Sequence, residues 1–173
     1  MQIEIKKAKI KNRIFLAYEY IQKDHDVENK NSTSSDAPIH DDLQNAFNEL
    51  IPHLVLICEE EKLKNLELTD KLVTKYKVTG FAIAGSAENE GVVISGHKIL
   101  ESEKVVNFNT PFISFGDEDY AYIKELSQSV ERIKDEVLEY MEGKQAPKPK
   151  QMSLFEEEEP AGAFEFEDNE TSI

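Results

Sequence analysis

Four histidines and a single cysteine are the side chains that could bind a metal or attack a substrate. His25, His40, His53 and His97 do not pair at the three-to-five-residue spacing of a helical or knuckle-type metal site. His40-Asp41-Asp42 is the densest cluster, but it stands at the mouth of an expected helix, where acids in the first turn favour the macrodipole and a cap explains all three. Asp24-His25-Asp26 falls in a polar stretch and reads as solvated. Cys58 follows Leu54-Val55-Leu56-Ile57 and precedes Glu59-Glu60-Glu61, so it has apolar and acidic neighbours and lacks the positive one that an activated thiolate needs. Gly80, Gly85, Gly91 and Gly96 form neither G-x-G-x-x-G nor a Gly-Lys-Ser/Thr loop, and neither G-x-S-x-G nor H-E-x-x-H occurs. The expectation is a non-enzymatic protein with no catalytic residue, metal or cofactor.

These residues must be positioned by elements that hydrophobic spacing reveals. Ile3 and Ile5, then Ala8 and Ile10, alternate with polar residues, and the change of face at Lys6-Lys7 predicts a bulged strand. Ile14 to Ile21, rich in β-branched and aromatic residues, predicts its hairpin partner across Lys11-Asn12-Arg13. Asp24 to Asp36 reads as loop with at most a short edge strand. Leu43, Phe47, Leu50, Leu54 and Ile57 recur every three or four residues, a helix that Pro52 either kinks or restarts. Lys62 to Asp70 carries no assignable pattern. Tyr76–Ala84, Val92–Leu100 and Lys104–Phe108 read as strands, the last two joined by a turn at Glu101-Ser102-Glu103, and Thr110 to Phe115 is expected to extend the last. Ile123, Leu126, Val130, Ile133, Val137 and Tyr140 make a narrow stripe that either packs across the sheet or pairs two chains as a homodimer. The order of strands and helices predicts an α+β fold, a mainly antiparallel sheet with two principal helices on one face. No internal repeat is visible in the sequence.

The chain has 173 residues, 35 acids against 20 bases and a formal net charge of −15. Such a balance excludes a basic-armed or histone-like DNA binder. The charge is uneven: residues 156–173 contain Glu156 to Glu159, Glu165, Glu167, Asp168 and Glu170 with no base, and the only charged residues of 144–150 are Lys144, Lys148 and Lys150. The expected organisation is a globular domain over 1–143, an extended Pro/Lys linker over 144–150, a short motif over 151–155 and a disordered acidic tail over 156–173. A lone cysteine and the lack of a long apolar run point to a soluble protein of a reducing, cytoplasmic compartment without membrane contact.

Gln151-Met152-Ser153-Leu154-Phe155 lies between the linker and the acidic run. It resembles the sliding-clamp-binding motif of bacterial and phage replication and repair proteins, whose pattern is Gln, an aliphatic residue, Ser or Asp, Leu, Phe. The resemblance implies a peptide that docks in a hydrophobic cleft of the DNA polymerase sliding clamp, with polar contacts from Gln151 and anchors at Leu154 and Phe155. Bulky apolar residues within a polar segment suit groove binding on physical grounds as well. Ala37 to Leu43 and Gly80 to Ile83 are faintly similar to small phage and prophage proteins. Ala163-Phe164-Glu165-Phe166-Glu167-Asp168 is similar in character to the acidic tails of single-stranded-DNA-binding proteins, although Thr171-Ser172-Ile173 departs from their usual tip.

Three functions follow as expectations. The first is a phage or prophage replication or recombination accessory protein of the bacterial host cytoplasm, tethered to the clamp. The second is a single-stranded-DNA binder whose Tyr18, Tyr20, Phe81 and Phe108 stack on bases while the acidic tail regulates access. The third is an acidic inhibitor or DNA mimic. A contiguous basic groove favours the second, and a helix face dense in carboxylates favours the third.

Overall fold

A computed structural model describes residues 1–147. The clamp-like motif and the acidic tail lie outside the described residues. The elements run β1 (Gln2–Lys11), β2 (Phe15–Asp24), β3 (Val27–Pro38), α1 (Asp41–Asn48), α2 (Ile51–Ile57), α3 (Asp70–Lys75), β4 (Tyr76–Ala84), β5 (Gly91–Ile99), β6 (Val105–Asn109), β7 (Ile113–Ser114) and α4 (Ile123–Met141). The seven strands form one sheet in the order β3-β2-β1-β4-β5-β6, with β7 also on β5, and every strand pairing is antiparallel. The fold is α+β.

Alternation in the strands sorts the two faces. Ile5, Ala8, Leu16, Tyr18, Val78, Phe81, Val92 and Ile94 point to one side and join Leu43, Phe47, Leu50 and Leu54 of the first helices in a single core. The stripe of α4 supplies Leu126, Val130, Ile133, Val137 and Tyr140, all buried in that core. The stripe is used within the chain, so it does not provide a seam for a coiled-coil dimer. Pro52 restarts the helix: it sits in the first turn of α2, where its missing N–H costs nothing.

The topology contains a repeat that the sequence hides. Two three-stranded meanders, each followed by helix, meet through their first strands, and α1 packs on α4. β1 and β4 touch over only three pairs, Lys7 with Ala82, Ala8 with Phe81 and Lys9 with Gly80. Each strand carries a bulge just before those residues, between Ile5 and Lys7 and between Val78 and Gly80. The halves are thus related by an approximate two-fold axis between β1 and β4. Gly80 is required at this crossing, since a Cβ there would lie 2.7 Å from the Ala8 carbonyl oxygen.

Three segments differ from the sequence expectation. Asp24–Asp36 is not loop: Val27–Pro38 forms a twelve-residue edge strand. Its Ser/Asn composition signals a loop when read locally, but pairing with β2 supplies the backbone bonds that decide. Ile113–Ser114 does not extend β6; it pairs with β5 beyond a break at Thr110, whose hydroxyl accepts from Ile94 N. The start of the expected linker is held to the domain. Lys144 forms ion pairs with Asp42, Glu136 and Glu139, Gln145 bridges to Ile39, and Ala146 N donates to the Pro38 carbonyl.

Candidate nucleic-acid interface on the open sheet face

Helices cover one face of the sheet, and the register fixes what faces the other way. One cross-strand row runs Ser34, Ala17, Lys9, Gly80, Ser95, Asn109. A second runs Lys77, His97, Asn107, and a third Ser32, Glu19, Lys7, Ala82, Val93. Apart from the lysines, the side chains near the centre are small or short and polar. The surface is therefore nearly flat, with exposed ammonium groups rising from it at Lys7, Lys9, Lys11 and Lys77.

Two depressions lie along this face. One of about 500 Å³ is lined by Lys7, Lys9, Thr79, Gly80, Ser95 and Asn107 among others. Its neighbour, of about 630 Å³, is lined by Arg13, Lys77, His97, Ile99, Glu103 and Gln44 of α1 among others. Burial first, then the positive charges of Lys77 and Arg13, hold the His97 imidazole below its ordinary pKa. Lys77 and Arg13 line the same depression as His97. Among the described residues, no carboxylate is within ion-pair distance of Lys9, Lys11, Arg13 or Lys77, and Lys11 Nζ donates instead to Ser34 Oγ at 3.0 Å. Lys7 has a carboxylate, that of Glu19, only at 4.0 Å.

Arg13 is held in the turn between β1 and β2 with φ of 72°, next to Asn12 at 51°. Asn suits the left-handed region, whereas Arg pays about 1 kcal/mol to be there.

The aromatics expected to stack on bases stand on the wrong side. Tyr18 and Phe81 are buried in the core, and Tyr20 and Phe108 pack against its edge. Tyr18 lies beside Tyr20 and edge-on to Tyr140, and Phe81 contacts Phe47. β-Alternation puts them on the same face as Ala8 and Ile94, which the helices cover. Phe15, half-buried and opposite Lys11, is an aromatic that the open face does carry. The signal for this face is present in the sequence as the period-two spacing of Lys7, Lys9 and Lys11; charge totals taken by segment conceal it.

The residues that suggested chemistry have structural roles. His40 caps α1, with Nδ1 accepting from Asp42 N at 3.0 Å. His25 is exposed in the left-handed turn between β2 and β3. Cys58 ends α2, and burial followed by the charge of Glu60 pushes its thiol up. His53 is buried, 2.7 Å from the Tyr120 hydroxyl, and burial pulls its pKa down to about 4 against a smaller opposing effect of Glu125. Among the described residues, no group of three His, Cys, Asp or Glu side chains could hold a metal, and no helix is long and apolar enough to cross a membrane.

No protein-family model, curated protein or solved structure matches this chain.

Proposed function

We propose that this protein is a non-enzymatic accessory factor of phage or prophage DNA replication or recombination that holds single-stranded DNA across its open sheet face. One observation carries the reading: a domain of net negative charge keeps Lys9, Lys11, Arg13 and Lys77 on one surface without ion-pair partners among the described residues. Phosphates compensate such a strip, and the flat row through Gly80 and Ser95 lets a strand lie close to the sheet. Contact is through the backbone and is tolerant of sequence, because the face presents lysines rather than a row of aromatic platforms. Mimicry of DNA is less well supported, since carboxylates of the helix layer are partnered by Arg132, Lys134 and Lys144.

Fluorescence anisotropy of a labelled oligo-dT of about 20 nucleotides tests the proposal. Binding should weaken linearly on a log–log salt plot, and Lys9→Ala should lower the slope by about 0.7. Absence of binding by the full chain and by a chain lacking residues 156–173, both at low salt, would overturn it.

The resemblance of Gln151 to Phe155 supports a second function, attachment to a sliding clamp. Burial of one Leu and one Phe, offset by ordering of the peptide, gives micromolar binding, and replacing Leu154 and Phe155 with Ala should remove most of it. The readout is anisotropy of a labelled 147–160 peptide against a bacterial clamp.

A further inference from the structure

We propose that the outer edge of β6, which pairs with no other strand among the described residues, pairs antiparallel with the same edge of a second copy, joining two sheets into one. The proposal does not rest on nucleic-acid binding, and its tests read assembly alone.

The two outer strands of the sheet are unlike. β3 carries Glu28, Lys30 and Asp36, ends at Pro38 and is itself bulged between Ser34 and Pro38, devices that discourage edge pairing. β6, Val-Val-Asn-Phe-Asn, has no charge, proline or bulge. Val105 and Val106 are 50% and 46% exposed, and Leu100 and Phe112 are exposed nearby, so half of the eight large exposed hydrophobics of the described residues gather at this end.

Backbone alternation shows which groups are free. Leu100 N donates to the Lys104 carbonyl and Thr110 N donates to the Ile94 carbonyl, so the even-numbered residues of this stretch face β5. The N–H and C=O groups of Val105, Asn107 and Asn109 consequently point outward. A two-fold axis at Asn107 opposes Asn107 with its own copy, Val105 with Asn109, and Val106 with Phe108. That register forms about six main-chain hydrogen bonds, sets apolar against apolar on the helix side, and opposes no like charges. An uncharged, self-complementary strand fits a second copy better than a charged foreign peptide. The pairing also repeats between chains the antiparallel two-fold contact that β1 and β4 make within one.

Sedimentation velocity of the full chain from about 1 to 100 µM should show a monomer–dimer equilibrium. Asn107→Pro removes an outward N–H while sparing the β5 ladder, and Val106→Lys places charge in the apolar row. Each should weaken dimerisation at least tenfold with the melting temperature retained, whereas Val27→Lys on β3 should not. As a check independent of folding losses, Asn107→Cys in a Cys58→Ser background should cross-link to its own copy with a short bis-maleimide, and Val27→Cys should not. A monomer at 100 µM, a dimer unaffected by both β6 changes, or cross-linking through residue 27 instead would overturn the proposal.

Discussion

On the covered face of the sheet, alternate residues of β1, β2, β4 and β5 are apolar and closed off by α1, α2 and α4; on the open face, the intervening positions are mostly lysines, small residues and short polar ones, with Glu19 and His97 among them. The charges differ as much as the hydropathy. In the helix layer Arg132 pairs with Glu49, Lys134 with Glu131, and Lys144 with Asp42, Glu136 and Glu139, while exposed Lys71 and Lys124 have no ion-pair partner among the described residues. On the open face Lys9, Lys11 and Lys77 have no ion-pair partner among the described residues, and Lys7 meets Glu19 only at 4.0 Å. Net charge, a sum over both surfaces, therefore describes neither, and a chain of −15 still carries a strip of exposed lysines on one face.

If the comparison holds, stability belongs to one face and binding to the other. The largest effect should come from Phe81→Ala, which opens a cavity against Phe47 and costs about 3–5 kcal/mol by urea denaturation. Affinity of the protein that remains folded should be unchanged, whereas a stacking role for Phe81 would show as weaker binding at full saturation of the fold.

Next is the response to acid. His53 has a folded pKa of about 4, below its ordinary 6.5, because charging it in the core is unfavourable. The unfolded chain binds the extra proton between those values, so stability is full above pH 6.5 and falls as pH drops toward 4, by about 3 kcal/mol from this group. His53→Gln, which keeps a polar partner for Tyr120, should flatten that part of the pH–stability curve measured by denaturant titration. An unchanged slope would show that other groups govern acid sensitivity.

Reversing charge on the open face should leave folding alone. Lys9→Glu with Lys77→Glu should weaken oligo-dT binding by on the order of 30- to 100-fold at 50 mM salt and shift the melting temperature little, as exposed unpaired charges contribute little to stability. Lys124→Glu with Lys134→Glu, on α4, is the matched control and should change affinity only a few-fold.

The smallest effect sharpens the comparison most. Arg13→Gly relieves a left-handed arginine and should raise stability by about 0.5–1 kcal/mol, while weakening binding through the lost charge. Loss of stability together with affinity would mean that Arg13 serves the fold.

Local pattern alone determined much of this protein. The bulge of β1, the interruption at Pro52, the cap at His40 and the apolar stripe of α4 follow from spacing and side-chain chemistry within a few residues, whereas restart rather than kink at Pro52 and burial of the stripe within the chain come from the packing. Tertiary structure decided the rest. β3 is a strand because β2 offers it a full ladder, against the preference of its own Ser/Asn-rich sequence. Tyr18 and Phe81 read equally well as stacking residues or as core, since alternation divides a strand into two faces without saying which one the helices cover. That choice also exposed Lys7, Lys9, Lys11 and Lys77 together: they lie on strands some seventy residues apart in sequence, and only the β1/β4 crossing at Gly80 makes them one surface. Charge proximity of this kind is a non-local quantity, set by which strands become neighbours.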